Sequence, residues 1–317
     1  MKLPRRQFLS LATIALGMPA VSRLANAQAY PARPVRMLVG FSAGGAPDIA
    51  ARLVAQWLSD GLGQQFIVEN RPGAGGNIAT ETVVDAPADG YTLLMAGLQN
   101  AVNTTLYQKL KYDFARDMTP VAGVSHENYG MEVHPSFPAK TVGEFIAYAK
   151  ANPGKLNMAS PGYGTGPHMA GVDMVHVAYR GSPPALTDLL AGQVQMMFSP
   201  LSSSIEYVKA GKLRGLAVTS AMRSKVLPEI PTVGESVPGY VATGWFGVCA
   251  PRKTPAEIVD RLNQEINAGL ADPKLRARFA ELGATVFTGS PSDFAKHIAD
   301  ETEKWGKVVR TAELRAD

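Results

Sequence analysis

The sequence predicts an α/β fold of two lobes, each a mainly parallel sheet flanked by helices, with a ligand cleft between the lobes. Three observations support this prediction. Short apolar strands alternate with helical patterns along most of the 317 residues. Glycine-rich turns follow several of these strands. A final group of elements after Gly239 is too long for the second series, so we expect the chain to cross back to the first lobe.

The first series begins with a buried strand at residues 35–41. A helix follows, with Pro47 near its start and an apolar stripe that includes Leu53 and Leu58. Two more strands, at 66–69 and 91–96, flank a glycine turn and a short helix. This alternating order predicts a parallel sheet covered by helices.

The second series starts near residue 130 with a helix capped by Thr141, and Glu144 follows three residues later. Alternating strands and helices continue to about residue 218. We therefore assign residues 28–128 and 242–317 to lobe 1 and residues 129–241 to lobe 2. The strand ends of both lobes should face the cleft.

The excess of basic residues is confined to the N-terminus. The chain has 31 basic and 27 acidic residues, and residues 1–27 contain four of the basic ones and no acidic one. The rest of the chain therefore has 27 of each, which argues against a nucleic-acid or membrane-surface partner.

Residues 1–27 have the pattern of an export signal. A basic start precedes an apolar stretch that is too short to span a bilayer, and Ala25-Asn26-Ala27 is a small-x-small cleavage site. We expect cleavage after Ala27 and a periplasmic mature protein. Arg5-Arg6 before Gln-Phe-Leu favours twin-arginine export, and an ordinary secretory signal is the alternative.

The sequence offers no activated nucleophile or acid–base pair at an obvious spacing, and no H-E-x-x-H motif. No histidine pairs with another ligand at metal spacing, so we expect no catalytic residue, metal or cofactor. His176 alternates with valines and is interpreted as a half-buried strand residue. Cys249, the only cysteine, is interpreted as an inert core residue.

Four glycine loops are the main functional signal: FSAGGAPD, RPGAGGN, ASPGYGTG and YRGSPP. Glycines let a backbone approach a ligand closely, and a helix that starts just after the loop adds partial positive charge. Such loops can bind a carboxylate without lysine or arginine. Each loop alone is equally explained by turn chemistry, but four loops at strand ends favour an anion site.

The chain resembles the periplasmic solute-binding proteins of tripartite tricarboxylate transporters, the Bug family. The likeness covers nearly all of the mature chain and includes PARPVRMLVGFSAGGAPDIAARL, ENRPGAGGNIA, PADGYTLL, VHVAYRGSPPALTDLLAGQVQMMF and LPEIPTVGE. It implies a two-lobed periplasmic-binding-protein fold (type II-like). It also implies a monomer that closes on a small organic acid and delivers it to two integral-membrane transporter subunits.

The resemblance also implies where the ligand binds. One ligand carboxylate is expected at the first glycine loop, and the loop after the third strand borders the site. Lobe 2 contributes its glycine loop and the segment that starts at Tyr179. The expected ligand-binding residues are Phe41, Ser42, Ala43, Gly44, Gly45, Asp48, Gly97, Gln99, Asn100, Gly164, Thr165, Gly166, His168, Tyr179, Arg180 and Gly181.

Several of these residues have two interpretations. Asp48 either contacts the ligand or caps the following helix, and the cap is preferred because a carboxylate repels an anion. Arg180 either pairs with a second ligand carboxylate or forms a structural ion pair. His168 is interpreted as a hydrogen-bond donor in its loop rather than a catalytic base.

The sequence departs from the family pattern in lobe 2. Ser42 and Ala178 stand where proline is usual, and about two helical turns are missing after His168. Either a neighbouring segment covers the gap, or Val175 and Val177 are exposed, the lobe is destabilised and ligand binding is weakened. A binding-impaired copy is therefore one alternative. A sensor that signals to a membrane receptor is another, which the sequence does not separate from a transport role, and a periplasmic hydrolase or lyase is the least favoured.

Overall fold

The computed structural model describes residues 30–165 and 174–316. The segment after His168, where the sequence predicts a lost helix, lies outside these residues. Ten strands occur in the described part: β1 (Val35–Val39), β2 (Phe66–Asn70), β3 (Thr92–Gly97), β4 (Met118–Val133), β5 (Asn157–Ser160), β6 (Val175–Ala178), β7 (Met196–Pro200), β8 (Arg214–Val218), β9 (Thr243–Pro251) and β10 (Thr285–Val286).

Helices precede or follow most of these strands. Two are short 3₁₀ turns, Ala74–Gly76 and Val233–Glu235. The α-helices of the described part are α1 (Ala46–Leu62), α2 (Asn77–Val84), α3 (Leu98–Leu106), α4 (Phe114–Asp117), α5 (Val142–Ala151), α6 (Ser182–Leu190), α7 (Leu201–Lys209), α8 (Ala256–Ala271), α9 (Pro273–Glu281) and α10 (Pro291–Thr311).

The strands of the described residues form one sheet in the order β2-β1-β3-β9-β4-β7-β5-β6, and β8 and β10 also pair with β4. β1 is parallel to β2 and β3, as the alternating sequence pattern predicts. β9 enters antiparallel between β3 and β4, so the chain does cross back to complete the first half of the sheet.

β4 joins the two halves of the sheet. Its first part pairs with β9 from Met118 to Asn128, and its second part pairs with β7 and β8 from Tyr129 to Val133. The sequence pattern predicts no strand here. Buried polar residues interrupt the apolar alternation of this segment, which removed the pattern that identifies a strand.

Helices cover both faces of the first half of the sheet. Met37 packs in one core cluster with Val54 and Leu58 of α1, whereas Leu38 packs in the other with Val83 of α2. The predicted stripe of α1 faces this core, and Leu53 packs against the cluster although it is only half-buried. Small alanines form much of the buried face and bring the helix close to the sheet.

Helix ends away from the cleft follow the sequence prediction. The Thr141 hydroxyl accepts a hydrogen bond from the Glu144 amide at 3.1 Å, and Ser290 caps α10. The Glu144 carboxylate accepts from the Lys140 amide rather than from Thr141, so the predicted capping box is shifted by one residue. Asp272 separates α8 from α9, where the long helical pattern was predicted to break.

At the edge of lobe 2, one of the two valines that were predicted to be exposed is exposed. Val175 is 46% exposed, whereas Val177 is half-buried against the small core cluster of lobe 2. His176 is half-buried between them, as predicted, and its Nε2 lies 2.6 Å from Ser160 Oγ. Cys249 is buried in the core, and burial raises the pKa of its thiol, as expected for an inert residue.

Two fully buried carboxyl groups lie on β4. Burial raises the pKa of Glu127 to about 7, although Ser125 and Ser202 each donate a hydrogen bond to it at 2.8 Å. Burial raises the pKa of Glu132 to about 8, and Ser204 opposes this by donating at 2.5 Å. Neutral hydroxyl partners without a cation leave desolvation as the larger effect, so both groups favour their protonated form.

Glu132→Gln is expected to flatten the pH dependence of stability between about pH 6.5 and 8. A carboxyl with a raised folded-state pKa stabilises the fold fully below its unfolded pKa and loses that contribution as pH rises through the folded value. Wild type should therefore lose at least about 1 kcal/mol more across this window than the variant. Partial burial lowers the pKa values of the half-buried histidines His126 and His297, which would make stability rise with pH. Above about pH 6.5 both are neutral in the folded and unfolded chain and no longer oppose the loss of stability.

Thermal unfolding at several pH values measures this difference. Glu206→Gln on the same helix as Ser204 is the matched control, because the Glu206 side chain is 80% exposed. If the unfolding free energies of wild type and Glu132→Gln change in parallel with pH, the Glu132 carboxyl is not the cause of the pH dependence.

Candidate ligand-binding cleft

A cavity of about 40 Å³ lies between the two halves of the molecule. This volume has room for about three water molecules. None of the described residues that line it is charged. The lining residues are Phe41, Pro47, Leu98, Gln99, Tyr129, Pro161, Thr165, Ser182, Pro200, Trp245 and Phe246.

Four helices begin at this cavity. Pro47 belongs to the first turn of α1, Leu98 is the first residue of α3, and Ser182 is the first residue of α6. Pro200 immediately precedes α7. The positive ends of four helix dipoles therefore meet at one uncharged cavity, two from each half of the molecule.

In none of these four helices does the side chain of the N-cap residue accept a hydrogen bond from the first turn. At α3 the Asn100 side chain accepts instead from the amide of the N-cap residue Gly97. Helices that begin elsewhere do have such caps, for example Thr141 at α5, Asp272 at α9 and Ser290 at α10. The amide groups of such a first turn lack internal partners and are suited to hold an anion. Pro47 in α1 and Pro183 and Pro184 in α6 have no amide hydrogen, so the other first-turn residues, such as Ser182, supply the available donors.

Asp48 stabilises the first glycine loop from behind. Its Oδ2 accepts hydrogen bonds from the Gly44 amide at 2.8 Å and from Arg52 Nε at 2.9 Å, and its Oδ1 accepts from Asn70 Nδ2 at 3.0 Å. Burial raises the pKa of Asp48, but these three hydrogen bonds outweigh burial and lower the pKa overall. The side chain thus fixes the loop as a carboxylate and does not line the cavity.

Residues of the first loop also contact lobe 2 directly. The Ser42 amide donates a hydrogen bond to Arg180 O at 3.0 Å. Gly181 has a φ of +146°, and a methyl group on it would collide with Ser42 Oγ. Gly44 and Gly45 face Pro183, so the loops FSAGGAPD and YRGSPP lie against each other.

The other two glycine loops form a second contact across the cleft. A methyl group at Gly75 would lie 2.7 Å from Tyr163 O, and one at Gly164 would collide with Asn103 Oδ1. Glycine is needed at Gly75 because two backbones approach each other closely, and at Gly164 because the Asn103 side chain does. The loops predicted to hold a ligand thus hold the two halves together in this structure.

Some of the remaining predicted residues lie at or behind the cavity, and others do not. Phe41, Gln99 and Thr165 line it. Asn100 fixes the start of α3, because its Oδ1 accepts from the Gly97 amide and from Gln99 Nε2, each at 3.0 Å. Ala43 is exposed at the loop tip, and Gly166 and His168 lie outside the described residues.

Arg180 does not line the cavity. Its side chain is exposed and borders an outer groove of about 420 Å³, together with the second glycine loop and Tyr163. Among the described residues Arg180 takes part in no ion pair shorter than 4 Å. The neighbouring Tyr179 donates to Asp188 Oδ2 at 2.6 Å, and burial and this bond raise the pKa of Tyr179 to about 12.

The sequence analysis missed several residues that line the cavity. Tyr129 comes from β4, and Trp245 and Phe246 come from β9, the two strands of the crossing. The available signal was the aromatic pair beside a glycine in TGWFGVCAP, at the point where the chain returns to lobe 1. Leu98 and Ser182 were missed because only the structure shows that their helices begin at the cavity.

The turn from Gly40 to Gly44 also has the G-x-S-x-G spacing of hydrolase nucleophiles. A nucleophilic serine needs a base within hydrogen-bond reach. Ser42 Oγ is buried, and no hydrogen-bond partner for it occurs among the described residues. In the same part of the chain no three metal-ligating side chains cluster, and no helix is long and apolar enough to span a membrane.

Two lobes around an uncharged cavity at helix N-termini define a solute-binding receptor of the periplasmic-binding-protein fold. The sequence profile of the tripartite tricarboxylate transporter family receptor, TctC, matches residues 50–314. The chain belongs to this family of receptors, which are not enzymes.

Solved structures agree with this assignment. The Rpa4515 protein of R. palustris with adipate is 38% identical, with a TM-score of 0.88 over 90% of this chain and 99% of that chain. The periplasmic binding protein BugD is 33% identical, with a TM-score of 0.87 over 91% and 100%. MatC of Rhodopseudomonas palustris with bound malate is 32% identical, with a TM-score of 0.85 over 88% and 100%.

Gly181→Ala is expected to separate the two halves of the protein. The added methyl group collides with Ser42 Oγ and strains a backbone conformation that favours glycine, at a cost of about 1–3 kcal/mol. The Ser42 amide should then exchange its hydrogen faster, and the radius of gyration from small-angle scattering should increase.

Gly192→Ala is the matched control. Gly192 also has a positive φ, +72°, but no atom lies within 4 Å of an added methyl group. An unchanged radius of gyration and unchanged Ser42 exchange in Gly181→Ala would show that this contact does not hold the halves together.

Proposed function

We propose that the protein captures a small organic carboxylate between its two lobes and delivers it to the membrane subunits of a tripartite tricarboxylate transporter. The observation that carries this proposal is the meeting of four uncapped helix N-termini at one cavity. The proposed lobes are residues 28–128 with 242–317, and residues 129–241. Closure of these lobes around the ligand would present one shape to the transporter.

Helix dipoles supply the positive charge that the ligand needs. Each N-terminus is equivalent to about half a unit of positive charge. The two termini of one lobe together therefore offset about one carboxylate. A lysine or arginine in the cavity would first have to lose its hydration shell, at a cost of several kcal/mol. Fixed backbone amides avoid much of that cost because they are already part of the fold.

One residue of the cavity wall also has an unpaired hydrogen-bond donor that we assign to the ligand. Trp245 lines it, and its Nε1–H is buried without a hydrogen-bond acceptor in the described part of the chain. An unpaired buried donor costs about 1–3 kcal/mol. We assign this donor, with the helix amides, to a ligand oxygen.

A ligand must move the lobes apart from the arrangement seen here. An organic acid of several carbons is larger than the three waters that the cavity accommodates. Its carboxylate would replace Arg180 O as the acceptor of the Ser42 amide. Binding would therefore exchange a direct contact between lobes for one through the ligand.

The decisive experiment compares a carboxylate with its neutral amide. We expect adipate to raise the unfolding midpoint and adipamide, of nearly the same shape, to leave it unchanged. At a hundred times the dissociation constant, binding adds about 2.7 kcal/mol of stability. If no acid in a broad panel stabilises the folded protein, the receptor does not bind carboxylates and the binding-impaired alternative is supported.

Ser182→Asp tests where the anion binds, within the same experiment. An aspartate at the first position of α6 suits the helix but places a negative charge at the cavity, so affinity should fall at least about tenfold while the fold is retained. Ser292→Asp, in the exposed first turn of α10, is the control. Equal affinities for both variants would place the anion elsewhere.

We also propose that the protein is exported to the periplasm by the twin-arginine route and cleaved after Ala27. Changing Arg5-Arg6 to Lys-Lys should block export and leave the uncleaved chain in the cytoplasm. Fractionation of cells followed by mass measurement of the N-terminus checks both points. Normal export of the Lys-Lys variant would indicate the general secretory route instead.

A further inference from the structure

We propose that this receptor takes acids whose body is apolar, alkyl or aromatic, and excludes polyhydroxylated acids. The inference rests on the proposed function and names the substrate class of the same cavity. It depends on what surrounds the anion-binding helix ends rather than on those ends themselves.

The walls of the cavity are largely carbon. Five residues contribute rings or aliphatic groups and come from both lobes and both crossing strands. Three prolines add further apolar surface. These eight residues are Phe41, Leu98, Tyr129, Trp245, Phe246, Pro47, Pro161 and Pro200.

The polar side chains of the cavity are mostly committed within the protein. Gln99 Nε2 donates to Asn100 Oδ1 at 3.0 Å, and the Thr165 hydroxyl donates to Gly162 O at 2.7 Å. Ser182 stands at the first position of α6, beside the amides assigned to the carboxylate. These three side chains therefore serve the fold or the anion, and the Tyr129 hydroxyl adds one further polar group to the wall.

A hydroxyl group on the ligand body would face these apolar walls. It would lose its bonds to water on entering the cleft and gain few in return, which weakens binding for each hydroxyl buried. A methylene or an aromatic carbon has no such bonds to lose and gains from leaving water. Between two acids with the same number of carboxylates, the cavity therefore favours the one whose carbon chain or ring carries fewer hydroxyl groups.

Two pairs of six-carbon acids test this discrimination by calorimetry on the wild-type protein. Adipate and galactarate are both diacids, and galactarate carries a hydroxyl on each of its four inner carbons. Hexanoate and gluconate are the corresponding monoacids. We expect the unhydroxylated member of whichever pair binds to bind at least a hundredfold more tightly.

Leu98→Gln introduces an amide into the wall and should reduce this ratio at least threefold. Leu53→Gln is the matched control, because Leu53 is a half-buried residue of α1 that does not line the cavity. It should leave the ratio unchanged. Since the main comparison uses wild type alone, a variant that fails to fold does not affect it.

The outcomes separate the two proposals. If hydroxylated acids bind as tightly as their partners, the inference is wrong while the proposed function stands. If neither member of either pair binds and the wider carboxylate panel also fails, the proposed function is wrong and the inference falls with it. Binding of neither pair together with tight binding of a smaller hydroxy acid would also overturn the inference.

Discussion

The amide groups at the start of a helix need acceptors, and four helices of this protein leave theirs without side-chain caps at one place. Strands β1 and β3 of the first half and β7 of the second each end close to the start of such a helix. The residues at these junctions are glycine or proline rather than serine, threonine or aspartate. Glycine and proline at these junctions tighten the turns and leave first-turn amides without side-chain partners. The proposed anion site therefore depends on how the sheet connects to its helices.

Close approach of the two lobes depends on the glycines of the loops. Any side chain at Gly75, Gly164 or Gly181 would meet backbone or side-chain atoms of the opposite lobe. The direct bond from the Ser42 amide to Arg180 O satisfies both groups without a ligand. A ligand must then compete with an existing contact, which reduces its net affinity and favours release, as a carrier requires.

The sequence predicted the order of elements, the crossing back to the first lobe and several caps, because each produces a local pattern. It did not predict β4, whose buried Glu127 and Glu132 disrupt the alternation that identifies a strand. It located the loops of the candidate cleft but not the aromatic wall, because Tyr129 and Trp245 reach the cavity only through pairing of distant strands. Arg180 was weighed as a ligand contact or an ion-pair partner, and local sequence cannot show that its side chain faces an outer groove.

Charge and surface have separate roles in this cleft. Fixed helix dipoles attract any small anion with moderate strength, since their partial charges are diffuse and act from several directions. Helix dipoles do not distinguish between ligands that differ only in the part beyond the carboxylate. Selection among anions must then come from the walls, where exclusion of water makes each mismatched polar group costly. An uncharged cavity at four helix ends can therefore release its ligand readily and still distinguish one acid from another by the body that the carboxylate carries.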